Sequence, residues 1–159
     1  MVCLLYPSPL GILTLTATDI ALTGLYFGNR IPPDAAEQHT PILDETVCQL
    51  DEYFAGIRQS FDLPLAPCGT AFQRRVWDAL CTIPYGETRT YAEIAAQAGS
   101  PRACRAVGQA NHVNPISIII PCHRVVRTGG DLGGYGGGLD AKRFLLALER
   151  THTGTKSSL

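Results

Sequence analysis

Apolar and polar positions alternate early in the chain: Leu13, Leu15 and Ala17 against Thr14, Thr16 and Thr18. This is the period of a half-buried strand rich in β-branched residues. Similar stretches predict strands over residues 3–6, 11–18 and 20–27, with turns at Ser8 to Gly11 and at Asp19. The polar stretch from Arg30 to Pro41 is expected to be a loop. Leu43, Val47, Leu50 and Phe54 then recur at helical spacing until Gly56 stops the helix. Phe61, Leu63 and Leu65 alternate as a last strand. Residues 1–65 thus predict a small sheet with one packed helix, a supporting unit, and Leu65 to Gly69 is a candidate linker.

Beyond the linker the period becomes helical. Thr70 and Gln73 form a capping box ahead of the stripe Phe72, Val76 and Leu80, with Trp77 placed in the core. After the turn Ile83-Pro84-Tyr85-Gly86, Thr90 and Glu93 form a second capping box, opening a short helix that ends at Gly99. Ser100 is expected to cap a third helix from Arg102 to about Ala110, with Pro101 at its first position. Two short helices separated by a glycine-containing turn predict a helix-turn-helix. Ile118 to Ile120 form a short apolar run, expected as a buried strand that Pro121 ends. A glycine-rich stretch from Gly129 to Gly138 precedes a final helix marked by Ala141, Leu145 and Leu148, with Glu149 near its end. The fold class is α+β: a sheet-plus-helix domain over 1–65, a helical domain over 66–150, and a flexible polar tail over 151–159.

Composition adds exclusions. A chain of 159 residues, 45% hydrophobic and 17% charged, can bury a core and has no disordered or collagen-like bias. Its apolar runs are far short of a membrane span, and residues 2–13 lack a basic flank and are broken by Pro7 and Pro9. A soluble, cytoplasmic protein without membrane contact is expected. Six cysteines without a Cys-x-x-Cys pair argue against a zinc ribbon or a thioredoxin-type motif, and most are expected to be small buried hydrophobes. The four histidines show no metal-ligand spacing, so no metal site is expected. The net charge of −1 divides unevenly, −6 over residues 1–65 against +4 over 66–150. Nucleic acid is therefore a plausible partner for the second half.

The candidate chemistry lies in that half. Cys122 stands beside His123 and Arg124, and nearby positive charge favours a thiolate. Neighbouring side chains on a strand point to opposite faces, so Cys122 and His123 form a working pair only through a turn or a bridging water. The third helix is small and basic: Arg102, Ala103, Arg105, Ala106 and Gly108 would allow close approach to a nucleic acid. The glycine-rich stretch carries Tyr135 but lacks the lysine and hydroxyl of a phosphate-binding loop, and is expected beside a ligand pocket.

Taken in order, Phe72-Gln73, Val76-Trp77, Ile83-Pro84-x-Gly86, Tyr91, Arg105-Ala106-Val107-Gly108, Asn114-Pro115, Pro121-Cys122-His123-Arg124-Val125, Gly134-Tyr135-x-Gly137-Gly138 and Lys142-x-x-Leu145-Leu146 form a specific set. The chain resembles the methylated-DNA–protein-cysteine methyltransferases, the O6-alkylguanine-DNA alkyltransferase family, densely over residues 70–150 and loosely before. The resemblance implies a ribonuclease-H-like N-terminal domain and a C-terminal winged helix. It implies Cys122 as alkyl acceptor, His123 as base through a water, Glu149 as the partner that orients His123, and Asn114 as a brace beside the cysteine. Tyr91 would donate a proton toward the purine, and Arg105 would fill the stack of the flipped base. Arg102, Ala106, Gly108 and Arg124 would complete the DNA-contacting set. Tyr135, Gly136 and the backbone near Cys122 and Val125 would form the pocket, with the small Gly136 leaving room for bulkier alkyl groups. The implied activity is stoichiometric repair of O6-alkylguanine, with O4-alkylthymine, in double-stranded DNA by a monomer, without a cofactor or a metal.

Two other classes use the same residues. A cysteine hydrolase would employ Cys122 and His123 for acyl transfer and would turn over. A winged-helix regulator would bind DNA without chemistry and would keep its function after Cys122→Ala. A binding protein of the alkyltransferase type that lacks the cysteine is disfavoured, since Cys122 is present.

Overall fold

The computed structural model describes residues 1–153 and divides into two compact units. The first comprises Met1–Cys68 with Pro115–Ser117, the second Gly69–Asn114 and the chain from Ile118 on.

In the first unit, β1 (Val2–Ser8), β2 (Gly11–Ala17) and β3 (Leu22–Phe27) form an antiparallel meander. A two-residue strand, β4 (Ala36–Glu37), adds in parallel to the far edge of β1, giving the order β3-β2-β1-β4. The polar 30–41 stretch gave no period from which to expect it. Central β2 is buried on both faces rather than half-buried, because its inward hydroxyls find partners. Thr14 Oγ1 donates to Gly28 O at 2.7 Å and Thr16 Oγ1 meets Thr23 Oγ1 at 2.9 Å. Helix α1 (Pro41–Phe54), N-capped by Thr40, packs on β1 and β2 through Leu43, Leu50 and Tyr53.

The strand expected over Phe61 to Leu65 does not form. Pro64 has no N–H to give to a ladder, and only Leu65 makes a single bridge, to Leu22. The Asp62 backbone is instead satisfied by Gln49 of α1, which donates to its carbonyl at 3.0 Å and accepts from its N–H at 2.9 Å. A second lone bridge joins Leu25 to Ile116. These two bridges occupy part of the edge that β3 would otherwise leave open.

The second unit is built on helices. α2 (Ala71–Cys81) and α3 (Tyr91–Gln97) each begin with the expected reciprocal capping box, Thr70 with Gln73 and Thr90 with Glu93. α4 (Cys104–His112) starts later than expected. Ala103 N–H closes a turn onto Ser100 O at 2.9 Å, so Pro101 presets a turn and Ser100 is not the cap. Arg102 therefore precedes the helix and is exposed. α2 holds α4 through Trp77, which is 2% exposed and donates from Nε1 to Ala110 O at 2.9 Å.

The isoleucine run is buried as expected but is not a strand: residues 117–119 form a turn, and Ile118 has φ +72°. That value is rare for a β-branched residue. A 3-10 turn (Cys122–Arg124) leads into β6 (Val125–Val126), which pairs in parallel with β5 (Arg89–Thr90). Helix α5 (Leu139–His152) closes the unit and includes Thr151 and His152, expected as tail. The rest of that tail, 154–159, lies outside the described residues.

Candidate active site

Pro121 places Cys122. Its φ of −82° and ψ of 64° make it the centre of an inverse γ-turn, with Cys122 N–H donating to Ile120 O at 2.8 Å. The 3-10 turn that follows turns the chain between Cys122 and His123, as a working pair requires. Asn114 braces this geometry from one amide: Nδ2 donates to Ile120 O at 2.9 Å and to Cys122 Sγ at 3.3 Å. The β-like composition of the isoleucine run misled because a side chain and a γ-turn take the carbonyl that a ladder would have used.

On the buried side lies a charge cluster. His123 is fully buried and its Nε2 is 2.7 Å from Glu149 Oε2. Arg124 meets the same carboxylate twice, Nε to Oε1 at 2.8 Å and Nη2 to Oε2 at 3.0 Å, while its Nη1 donates to Ile83 O at 2.7 Å. Burial alone would raise the Glu149 carboxyl, but the hydrogen bonds and charges of His123 and Arg124 overcome it and hold the pKa at about 2. An ionised Glu149 takes the Nε2–H, so the neutral ring carries its lone pair on Nδ1. Nδ1 has no hydrogen-bond partner among the described residues. Burial, aided by the charges of Arg124 and Lys142, keeps His123 below its ordinary pKa against the opposing pull of Glu149. Burial likewise pushes the Cys122 thiol up, only partly offset by the Asn114 hydrogen bond and the Lys142 charge. The resting pair is therefore a neutral thiol and a neutral base.

Arg124 corrects the sequence expectation. The resemblance implies a DNA contact at Arg124, but the residue is 7% exposed with its donors committed inside the protein. Val125 is expected at the pocket through its backbone. Its side chain is fully buried, and its carbonyl accepts from Lys142 Nζ at 2.7 Å.

Cys122, 5% exposed, opens into a cavity of about 790 Å³ that Tyr91, Arg105, Gly108, Tyr135 and Gly136 also line. That volume lies in the range of small-molecule sites. Arg105 and Ala106 are exposed on α4, and a Cβ at Gly108 or Gly136 would meet nothing within 4 Å. Burial raises the Tyr91 hydroxyl; Arg127 and an Asn111 hydrogen bond oppose this, and Cys122 adds to it. Cys104, Gln109, Asn111, His112 and Arg127 also line the cavity and were not singled out in the sequence. His112 lies one turn beyond Gly108 on α4, so helical spacing alone would have found it. Arg127 sits in irregular backbone and left no such signal. Two arginines and a histidine line the cavity, with no acid among the lining residues.

The expectation that most cysteines are buried fails: only Cys3 and Cys122 are, while Cys48, Cys68, Cys81 and Cys104 are exposed. Cys48, for example, lies on the outer face of α1, between the positions of its buried stripe.

The chain matches the ribonuclease-like domain of 6-O-methylguanine DNA methyltransferase over residues 1–67 and the DNA binding domain of the same family over 71–151. It is 53% identical to a methylated-DNA–protein-cysteine methyltransferase of Methanosarcina barkeri, covering 91% of this chain and 94% of the relative. A protein of the same name from Mycolicibacterium paratuberculosis is also 53% identical, over 92% of this chain and 90% of that one. The crystal structure of Mycobacterium tuberculosis OGT in complex with DNA superposes with a TM-score of 0.90 at 48% identity, covering 96% of this chain and 94% of that one.

Proposed function

The chain belongs to the 6-O-methylguanine DNA methyltransferase family, and we propose that it repairs O6-alkylguanine in duplex DNA by moving the alkyl group to Cys122, once per molecule. The observation that carries this is Cys122 Sγ at the wall of a cationic cavity, with a buried carboxylate–imidazole pair in the adjoining residues.

An alkylated base inside a duplex is out of reach, so it is flipped out at a cost of a few kcal/mol. Arg105, exposed at the cavity on α4, fills the gap in the stack, while Arg102 and Ala106 lie against the backbone. His123 Nδ1 takes the thiol proton through a water, and the sulfur attacks the alkyl carbon in line. The carbon–O6 bond breaks, its electron pair passes to the purine, and the Tyr91 hydroxyl supplies the proton that yields guanine. A thioether remains on Cys122. It has no good leaving group, so the protein stops after one event. Tyr135 and Gly136 wall the base, and the space at Gly136 suits alkyl groups larger than methyl, with O4-alkylthymine a second substrate. On this reading residues 66–150 carry DNA binding and chemistry, and 1–65 support them. The protein works as a monomer in the cytoplasm. Among the described residues no helix is long and apolar enough to cross a membrane.

Incubation with a duplex containing O6-methylguanine should add one methyl per chain, mapped to the peptide bearing Cys122. Repeated turnover, or a methyl on Cys104 in the same cavity, would count against the proposal.

Arg105→Ala should weaken binding to duplex by about 1–3 kcal/mol, roughly 5- to 150-fold, and slow repair in parallel. Transfer from the free alkylguanine base should change far less. Equal losses on both substrates would place Arg105 in the reaction centre instead.

A further inference from the structure

Lys142 is a fully buried cation that the mechanism above does not use. Its Nζ donates to the carbonyl of Val125 at 2.7 Å, to that of Leu132, and to that of Gly134 at 3.3 Å. An ammonium has three protons to give, and these three acceptors match them in number. The acceptors come from two places: β6, directly after the nucleophile's turn, and the glycine-rich segment that supplies Gly134, Tyr135 and Gly136 to the cavity wall. That segment lacks regular structure between Asp131 and Tyr135. Arg127 N–H donates to Asp131 O at 2.7 Å and Gly138 N–H to Tyr135 O at 3.0 Å.

We propose that Lys142 is a positioning residue that builds the guanine pocket, its ammonium gathering the Val125, Leu132 and Gly134 carbonyls so that the glycine-rich segment is held as a wall beside Cys122. A segment this rich in glycine has a high entropic cost of ordering. Charge-assisted hydrogen bonds are about twice as strong as neutral ones, and a buried cation without acceptors is costly. The lysine and the loop therefore order each other. Burial lowers the Lys142 pKa to about 8, with Arg127 adding to the drop and Cys122 opposing it. The site thus holds its proton at neutral pH with little to spare. The ion pair of Glu149 with Arg124, about two turns further along α5, is satisfied without it.

The inference rests on the repair activity for its kinetic arm, and its structural arm is independent of that activity. Lys142→Met keeps the length of the side chain and removes all three donors. Hydrogen exchange in the peptide spanning residues 129–138 should rise at least ten-fold, with α2 and β1 to β3 unchanged. The concentration of free O6-alkylguanine base giving half-maximal transfer should rise by a similar factor. Alkylation of Cys122 by iodoacetamide, which needs no base pocket, should fall by clearly less than transfer from the base, since it loses only the Lys142 charge beside the thiol. Lys142→Arg should recover part of the loop protection. If Lys142→Met does not fold, Lys142→Gln, which keeps an amide donor, carries the same comparisons. Unchanged exchange in 129–138 would overturn the proposal. So would equal losses with iodoacetamide and the base, which would make Lys142 an electrostatic influence on the thiol. A wild-type protein that transfers no alkyl group would instead refute the repair reading, and the exchange result would still decide the role of Lys142.

Discussion

Glu149→Gln will lower the unfolding free energy by about 3–5 kcal/mol, the cost of leaving one member of a buried ion pair without its partner. Glu149 is 1% exposed and satisfies both His123 and two donors of Arg124. A glutamine keeps the shape but turns an NH2 toward a guanidinium that is itself buried. Domains of this size hold only about 5–15 kcal/mol in total, so the variant gives up a large part of its stability. The effect has a pH signature. Glu149 has a depressed pKa of about 2 in the folded protein, so its contribution is complete above the ordinary carboxylate range. It is lost as pH falls through about 2. Urea titrations should show the gap between wild type and Glu149→Gln closing below about pH 4, and the double change Glu149→Met with Arg124→Met should recover much of the loss. An unchanged urea midpoint at neutral pH would contradict the ion-pair account. Repair rates of Glu149→Gln must therefore be normalised to the folded fraction before they report on His123.

His123→Gln should slow single-turnover transfer at neutral pH by about 10²–10⁴-fold, the usual worth of a positioned general base. The amide nitrogen can still donate to Glu149, so the charge cluster is spared. The size of the effect follows from the neutral resting pair. Burial raises the Cys122 thiol and lowers the His123 imidazole, so little thiolate exists before the base acts. As pH rises, hydroxide forms the thiolate directly and the deficit should shrink. A deficit constant from pH 7 to pH 9.5 would mean that His123 supports the fold rather than the proton transfer. Neutral-pH rates equal to wild type would leave Asn114 and Lys142 as the groups that activate the sulfur.

What could be read from the sequence follows from the range of the forces involved. The capping boxes at Thr70 and Thr90 are local hydrogen bonds between residues three apart, and both form as expected. The strands β1 to β3 follow from period and turns. The failures have long-range causes. Phe61 to Leu65 alternates like a strand, but Gln49 of α1 takes the Asp62 backbone. Pro101 suits the first turn of a helix, yet it equally suits the tight turn that forms. Arg124 looked like a surface cation beside His123, because nothing local reveals that Glu149 lies within reach of both. Lys142 left one usable trace: it falls with Leu145, Leu146 and Glu149 on the buried face of α5, where an unmatched charge is costly.

The inverse γ-turn at Pro121 has a consequence for the timing of repair. A proline ring limits the conformations open to the chain before it folds, so much of the ordering cost at this corner is settled in advance. Catalysts that cycle must loosen to release product, and lids and hinges often set their pace. A protein that keeps its product as a thioether is under no such demand. The corner that presents Cys122 can be stiff without penalty, and speed then depends on how soon each molecule meets its lesion.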